Sequence, residues 1–177
     1  MSHIHTEFGQ HDHTASAYVI RTDFEEPKLM LHLHRKFGRY AQFGGHIELH
    51  ETPWQAIAHE LEEESGYMLD NVQILQPSKR LSSVVGAVVH PHAIAHVTMR
   101  HLNDKDHAHT DVAYVFVAAE EPVQPPKEGE STDIRLFTRD EISSLKEVDP
   151  MTRDIALHIF DDILPKWQAV ATSEFEL

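Results

Sequence analysis

The spacing of hydrophobic positions changes several times along the chain, and each change marks an element. Apolar-rich runs at Ser16–Arg21 (SAYVIR) and Lys28–His34 (KLMLHLH) predict two strands around a charged, proline-containing turn at 23–27. A second turn, 35–38 (RKFG), leads to Tyr40-Ala41-Gln42-Phe43 and the pair Gly44-Gly45. The period then becomes helical. Trp54, Ile57, Ala58 and Leu61 form one apolar stripe; Thr52 is placed as N-cap, Pro53 as first residue, and Gly66 as the stop after Ser65. Strands are predicted at 71–75, 84–89 and 110–118, with a turn at 101–106 between the last two. The segment 121–131 (EPVQPPKEGES) is a loop on its composition. A last strand at 134–137 precedes helices at 139–145 and 151–163, and residues 171–177 are expected to fray.

No shift of composition divides this pattern, so residues 1–177 read as a single domain, opened by a His-rich segment at 1–13. With 41% hydrophobic residues, a chain of this length builds one substantial core. Its formal charge of −14 opposes binding to nucleic acid or to an anionic membrane surface. Small phosphorylated ligands stay open, because a bound divalent metal reverses the local field. There are 0 cysteines, which excludes disulfides, thiolate metal sites and a cysteine nucleophile. The first 13 residues lack the cationic start and apolar run of a signal peptide, and no stretch approaches the roughly 20 apolar residues of a membrane helix. A cytoplasmic protein is expected.

The chemistry concentrates on the helix that starts at Pro53. At about 100° per residue, Glu64 lies about 40° and Glu63 about −60° from Glu60, so three carboxylates share one face, while Glu62 points elsewhere. The triplet borders the apolar stripe rather than opposing it. Like charges at these spacings destabilise a helix, and these lie beyond the N-terminal turn where its dipole favours them. A hard cation with oxygen ligands, magnesium or manganese, relieves that repulsion; the alternative is a solvated acidic face.

The surroundings favour the cation. Residues 45–67 (GHIELHETPWQAIAHELEEESGY) resemble the Nudix box, G-x5-E-x7-R-E-U-x-E-E-x-G-U with U a bulky apolar residue. Gly45, Glu51, Glu60, Leu61, Glu63, Glu64 and Gly66 fall on its positions; Tyr67 is a less usual last residue, and His59 replaces the arginine. The resemblance implies a Nudix fold, an α/β (α+β) arrangement in which a mixed central sheet lies between helices as an α/β/α sandwich. It also implies Mg2+ or Mn2+ held by Glu60, Glu63 and Glu64, and water attacking a pyrophosphate. Glu60 and Glu63 then carry catalysis, with Glu63 also a possible base, while Glu51 orients the box. In the family the arginine pairs with the glutamate at Glu51's position. Histidine is shorter and titrates near neutrality, so turnover is expected to be weaker or more sensitive to pH.

Further clusters have two readings each. The basic turn holding Arg35, Lys36 and Arg39 either contacts substrate phosphates or keeps a hairpin tip soluble. His107, His109 and Asp111 alternate before a strand, so they either share a metal or form a routine polar face. Glu128 and Glu130 lie in the proline-rich loop. Glu130 resembles the loop glutamate that several Nudix enzymes use in catalysis, and it is the second base candidate; the alternative is an acidic, solubilising loop. Tyr40, Phe43 and Trp54 are either base-stacking or core aromatics.

The expected activity is metal-dependent hydrolysis of a nucleoside diphosphate linked to another moiety, or of a nucleoside triphosphate. The first is preferred because the basic turn offers several phosphate contacts. The rival is a Nudix-fold nucleotide-binding module without catalysis, to which His59 points. An isomerase of the isopentenyl diphosphate type shares the fold, but its common form needs a cysteine. A homodimer stays open, since many relatives form one.

Overall fold

The computed structural model describes residues 10–36, 38–81, 83–102 and 105–177. Strands β1 (His11–Arg21), β2 (Lys28–His34), β3 (Arg39–Ala41) and β4 (Phe43–His46) precede helix α1 (Pro53–Ser65). Strands β5 (Gln73–Gln76), β6 (Ile94–Leu102), β7 (Lys105–Ala118) and β8 (Ile134–Phe137) follow. Helices α2 (Arg139–Ser144) and α3 (Pro150–His158) and strand β9 (Gln168–Ala171) complete the order.

Among the described residues, nine strands join one mixed sheet with the path β3-β2-β1-β7-β5-β9; β4 also pairs with β1, β6 with β7 and β8 with β2. Its central contact is parallel, β1 against β7, in register from His11↔Ala108 to Arg21↔Ala118. A strand covered on both faces has no solvent side, so its sequence reads as a continuous apolar run. β1 shows this: every residue from Ala15 to Arg21 is buried. Ala15, Ala17 and Val19 join Trp54, Ile57 and Leu61 of α1 on one side. Tyr18 and Ile20 join Ile142, Ala156 and Ile159 from the α2–α3 side. The mixed sheet between helices is the expected layering.

Helix α1 begins and ends where its sequence specifies. Thr52 and Gln55 form a reciprocal capping box, with Pro53 in the first turn. Gly66 closes the helix at φ +79, where a Cβ would lie 1.8 Å from the Gln124 carbonyl oxygen. Glycine is therefore required there by both conformation and space.

Several expected boundaries change. The run 84–89 is no strand: it carries only an isolated bridge, Val84↔Ala87, around Gly86 at φ +74. Its apolar residues do not enter the core, and Val84, Val85 and Val88 are exposed. The strand falls later, at β6, and pairs with β7 from Ile94↔Ala113 onward. That hairpin carries β7 back to Lys105, into the segment expected to turn. β1 likewise begins at His11, within the His-rich segment, whose residues 1–9 lie outside the described residues. Residues 171–177 do not simply fray. Ala171 pairs with Gln73, Thr172 is buried, and the Phe175 ring meets Trp54 edge-on.

Candidate active site

Helix α1 runs along the sheet so that its carboxylate edge meets β4. Glu60 and Glu64 are buried, and Glu63 lies at the rim with its side chain 37% exposed. The geometry of β4 holds Glu64: the Gly44 N–H donates to its Oε2 at 2.7 Å. That approach depends on Gly44, at φ +132, because a Cβ there would meet the Ala15 carbonyl oxygen at 2.1 Å. Glu62 turns away, as the helical angles require, and accepts from Gln124 Nε2 at 3.2 Å.

Burial dominates the electrostatics. It pushes the Glu60 carboxyl up to about 8, reinforced by the charges of Glu63, Glu130 and Glu51. Glu64 rises to about 9 through burial, with the Gly44 N–H pulling down and Glu60, Glu130 and Glu63 pushing up. Glu60 Oε2 is buried and has no hydrogen-bond partner among the described residues. Buried carboxyls of this kind are costly unless a cation or donors compensate them. Nearby His32 is buried as well, and burial, then His34, lowers its imidazole to about 4. His32 Nδ1 lies 4.0 Å from Glu64 Oε1, so a neutral ring faces the carboxyl pair.

The departure from the box motif has a structural answer. His59 Nδ1 is 3.1 Å from Glu51 Oε1, and its Nε2 is 3.6 Å from Glu60 Oε1. Glu51 also accepts from the Glu48 N–H at 3.2 Å. The histidine thus reaches both the bracing glutamate and a ligand candidate. Glu63 meets a residue that the sequence reading did not single out: Lys127 Nζ donates to its Oε1 at 2.9 Å. The Lys127 N–H also donates to the Glu63 carbonyl at 2.8 Å, so the proline-rich loop is anchored on α1.

A cavity of about 490 Å3 opens beside Glu64, and Arg35, Lys36 and Glu130 line it. Arg35 reaches across the gap and donates to the carbonyls of Gly129 and Glu130 at 2.6 and 2.8 Å. Its guanidinium thereby positions the loop that brings Glu130 within electrostatic reach of Glu60 and Glu64. Lys36 is exposed at the mouth. Arg39 opens β3, is exposed, and does not line the cavity. Glu128 is also exposed. The three aromatic candidates are core residues: Tyr40, Phe43 and Trp54 are all buried, and Trp54 stacks on Phe116.

The cavity floor beyond Glu64 is polar, and most of it was not anticipated. Asp111 accepts from Thr14 and Ser16 hydroxyls at 2.6 and 2.9 Å, and Gln42 donates to Ser16 Oγ at 3.3 Å. His107, His109 and Asp111 do share one face of β7, but all three are buried, not solvated. Register pairing with β1 sets Asp12 beside His109. Asp12 lay in the His-rich segment, and no local signal announces a parallel partner about a hundred residues away.

The NUDIX domain family model matches residues 12–158. Among solved structures, a Nudix-family hydrolase from Clostridium perfringens has 22% identity and a TM-score of 0.64, covering 86% of this chain and 97% of that one. A C. elegans Ap4A hydrolase has 13% identity and a TM-score of 0.58, covering 84% and 95%. The NUDIX domain of Shewanella oneidensis NrtR, solved with ADP ribose, has 12% identity and a TM-score of 0.56, covering 80% and 81%. Comparison by sequence with curated proteins finds no match. The family match spans most of the chain, and these structural neighbours share its fold. The chain belongs to the Nudix family and is a Nudix-type pyrophosphohydrolase.

Proposed function

We propose that the protein hydrolyses the pyrophosphate bond of a nucleoside diphosphate linked to another moiety, with Mg2+ or Mn2+ held by Glu60, Glu63 and Glu64. The observation that carries this reading is the buried pair Glu60 and Glu64, with Glu64 lining a cavity that Arg35 and Lys36 also line. Two buried carboxyls with raised proton affinity, one with a free oxygen, are the donor set that a hard divalent cation satisfies. When bound, such ions polarise the phosphoryl oxygens and lower the pKa of water.

The chain's own residues supply the rest. The Gly44 N–H fixes Glu64, and His59 steadies Glu51 and Glu60. Glu63 at the rim and Glu130 across the cavity are the two groups free to accept a proton from water, once Lys127 leaves Glu63. Arg35 positions the Glu130 loop, and Lys36 meets substrate phosphate at the mouth. Arg39, exposed and outside the cavity, takes no part in this reading.

A substrate with two phosphates and a second moiety is preferred over a triphosphate, whose extra charge would need more cations in a cavity also lined by Glu64, Asp111 and Glu130. ADP ribose, the ligand named for one structural neighbour, belongs to this chemical class, whereas the Ap4A named for another carries four phosphates. The rival binding module rested on His59, and its contact with Glu51 supports a retained brace instead. The test incubates the protein with Mg2+ and a panel of dinucleotides, nucleotide sugars and triphosphates, then separates the products. Release of a nucleoside monophosphate, lost in Glu63→Gln, is expected. Release of pyrophosphate from triphosphates alone would overturn the substrate class, and silence with folded protein would favour the binding module.

A further inference from the structure

The parallel pairing of β1 and β7 assembles a second group of ligand atoms that pyrophosphate hydrolysis does not use. Asp12 stands in register with His109, and His107 follows on the same face of β7. His107 Nε2 lies 2.8 Å from His109 Nε2, and the two nitrogens lie 4.0 and 3.9 Å from Asp12 Oδ2. On β4, His46 Nε2 is 3.5 Å from the same oxygen, and its ring meets His109 edge-on. Asp12 and His107 are almost fully enclosed, at 1% and 0% exposure.

The ligand atoms of Asp12, His107 and His109 lie within 4.8 Å of one another, and His46 approaches the Asp12 carboxylate from β4. A tetrahedral ion with ligands at about 2.0–2.1 Å separates those ligands from one another by roughly 3.4 Å. The spacings among Asp12, His107 and His109, 2.8 to 4.0 Å, straddle that value and need changes of up to about 0.6 Å. Ligand chemistry then selects the ion. Imidazole nitrogen suits zinc and its neighbours in the transition series, whereas magnesium takes oxygen. Although His46 belongs to the box segment, the group is displaced along β1 from the point where Gly44 holds Glu64. Asp12 lies four residues along β1 from Ser16, which pairs with Gly44, so the displacement is about 13 Å. It lies, too, on the opposite sheet face from α1, whose core contacts are the odd-numbered residues Ala15, Ala17 and Val19.

We propose that Asp12, His107 and His109, completed by His46, form a transition-metal site of the zinc class, separate from the glutamate site. His46 and His109 also line the cavity, so the ion sits at its far end and ties β1, β4 and β7 together there. The competing arrangement is a simple hydrogen bond between two neutral imidazoles, which needs no ion.

Cobalt(II) reports the difference, since tetrahedral nitrogen ligation gives intense visible absorption. The full-length protein is stripped with EDTA and titrated with Co2+, then with Zn2+. One tight equivalent with visible bands, displaced by Zn2+, is expected in wild type and in Glu63→Gln. His107→Gln and Asp12→Asn should bind cobalt at least tenfold more weakly, with circular dichroism checking that each is folded. A variant lacking His3 and His5 should bind as wild type does. In wild type itself, 15N-edited histidine spectra should show Nε2 signals moving to metal-bound positions on adding Zn2+, a reading that needs no variant. Absence of stoichiometric cobalt uptake by wild type overturns the site, as does undiminished uptake in folded His107→Gln or Asp12→Asn. Loss of uptake with His3 and His5 does so too.

Discussion

Replacing Glu64 with glutamine should stabilise the metal-free protein while abolishing its stabilisation by metal. The native carboxyl titrates at about 9 and the unfolded one at its ordinary 4.5. A raised native value means that the folded state keeps a proton the unfolded chain has already released. Stability therefore falls as pH rises above 4.5, and the penalty stops growing only near 9. At about 1.4 kcal/mol per pH unit, that penalty reaches roughly 3 kcal/mol at pH 7. Glu60 behaves in the same sense, but the two carboxyls titrate together, so their penalties do not add. Glutamine keeps an acceptor for the Gly44 N–H and has no proton to hold. Allowing for the new amide donor, the gain at pH 7 is about 2–3 kcal/mol, some 4–12 °C in Tm for a chain of this size. Urea unfolding in EDTA at pH 5, 7 and 8.5 measures it. The gap between variant and wild type should be under about 1 kcal/mol at pH 5 and widen with pH. Added Mg2+ should stabilise wild type and not the variant. A glutamine variant that is less stable than wild type at pH 8.5, or that shows the same pH slope, refutes the reasoning.

Three further outcomes follow from the same geometry. Gly66→Ala should cost at least about 2 kcal/mol by chemical denaturation, because φ +79 and the Gln124 carbonyl both exclude a Cβ; an unchanged midpoint contradicts the close packing. Lys127→Met should tighten Mg2+ binding severalfold by calorimetry, since an exposed ion pair with Glu63 is worth at most about 1 kcal/mol; weaker binding would mean the lysine helps rather than competes. His59→Arg should raise activity at high pH, because a guanidinium stays charged where an imidazole does not; superposable pH–rate profiles dispose of the idea.

Local signals made the box legible from sequence. Thr52, Pro53 and Gly66 bound a helix whose 3.6-residue period alone places Glu60, Glu63 and Glu64 on one edge. Capping and periodicity act over a few residues, so reading them needs no partner. The errors lie where tertiary pairing decides. Val84–Val89 has the composition of a strand, yet Gly86 turns it and β7 takes the later segment 94–102 as partner. Phe175 is held by Trp54, a contact invisible in a polar C-terminal segment. Asp12 joins the histidines only because β1 and β7 run parallel, a long-range pairing that sequence spacing does not announce. Arg35, read either as a phosphate contact or as a solubilising charge at a hairpin tip, donates to the Gly129 and Glu130 carbonyls, a long-range contact that neither reading contained.

The most direct test of the central claim is steady-state turnover of whichever dinucleotide or nucleotide sugar the panel yields, in 18O-labelled water with and without Mg2+. Wild type should release a nucleoside monophosphate or its partner phosphate carrying one label, and EDTA should stop the reaction. Glu63→Gln should be slower by about two orders of magnitude or more. Turnover that persists in EDTA, or that proceeds undiminished in the variant, would contradict hydrolysis by metal on the α1 glutamates.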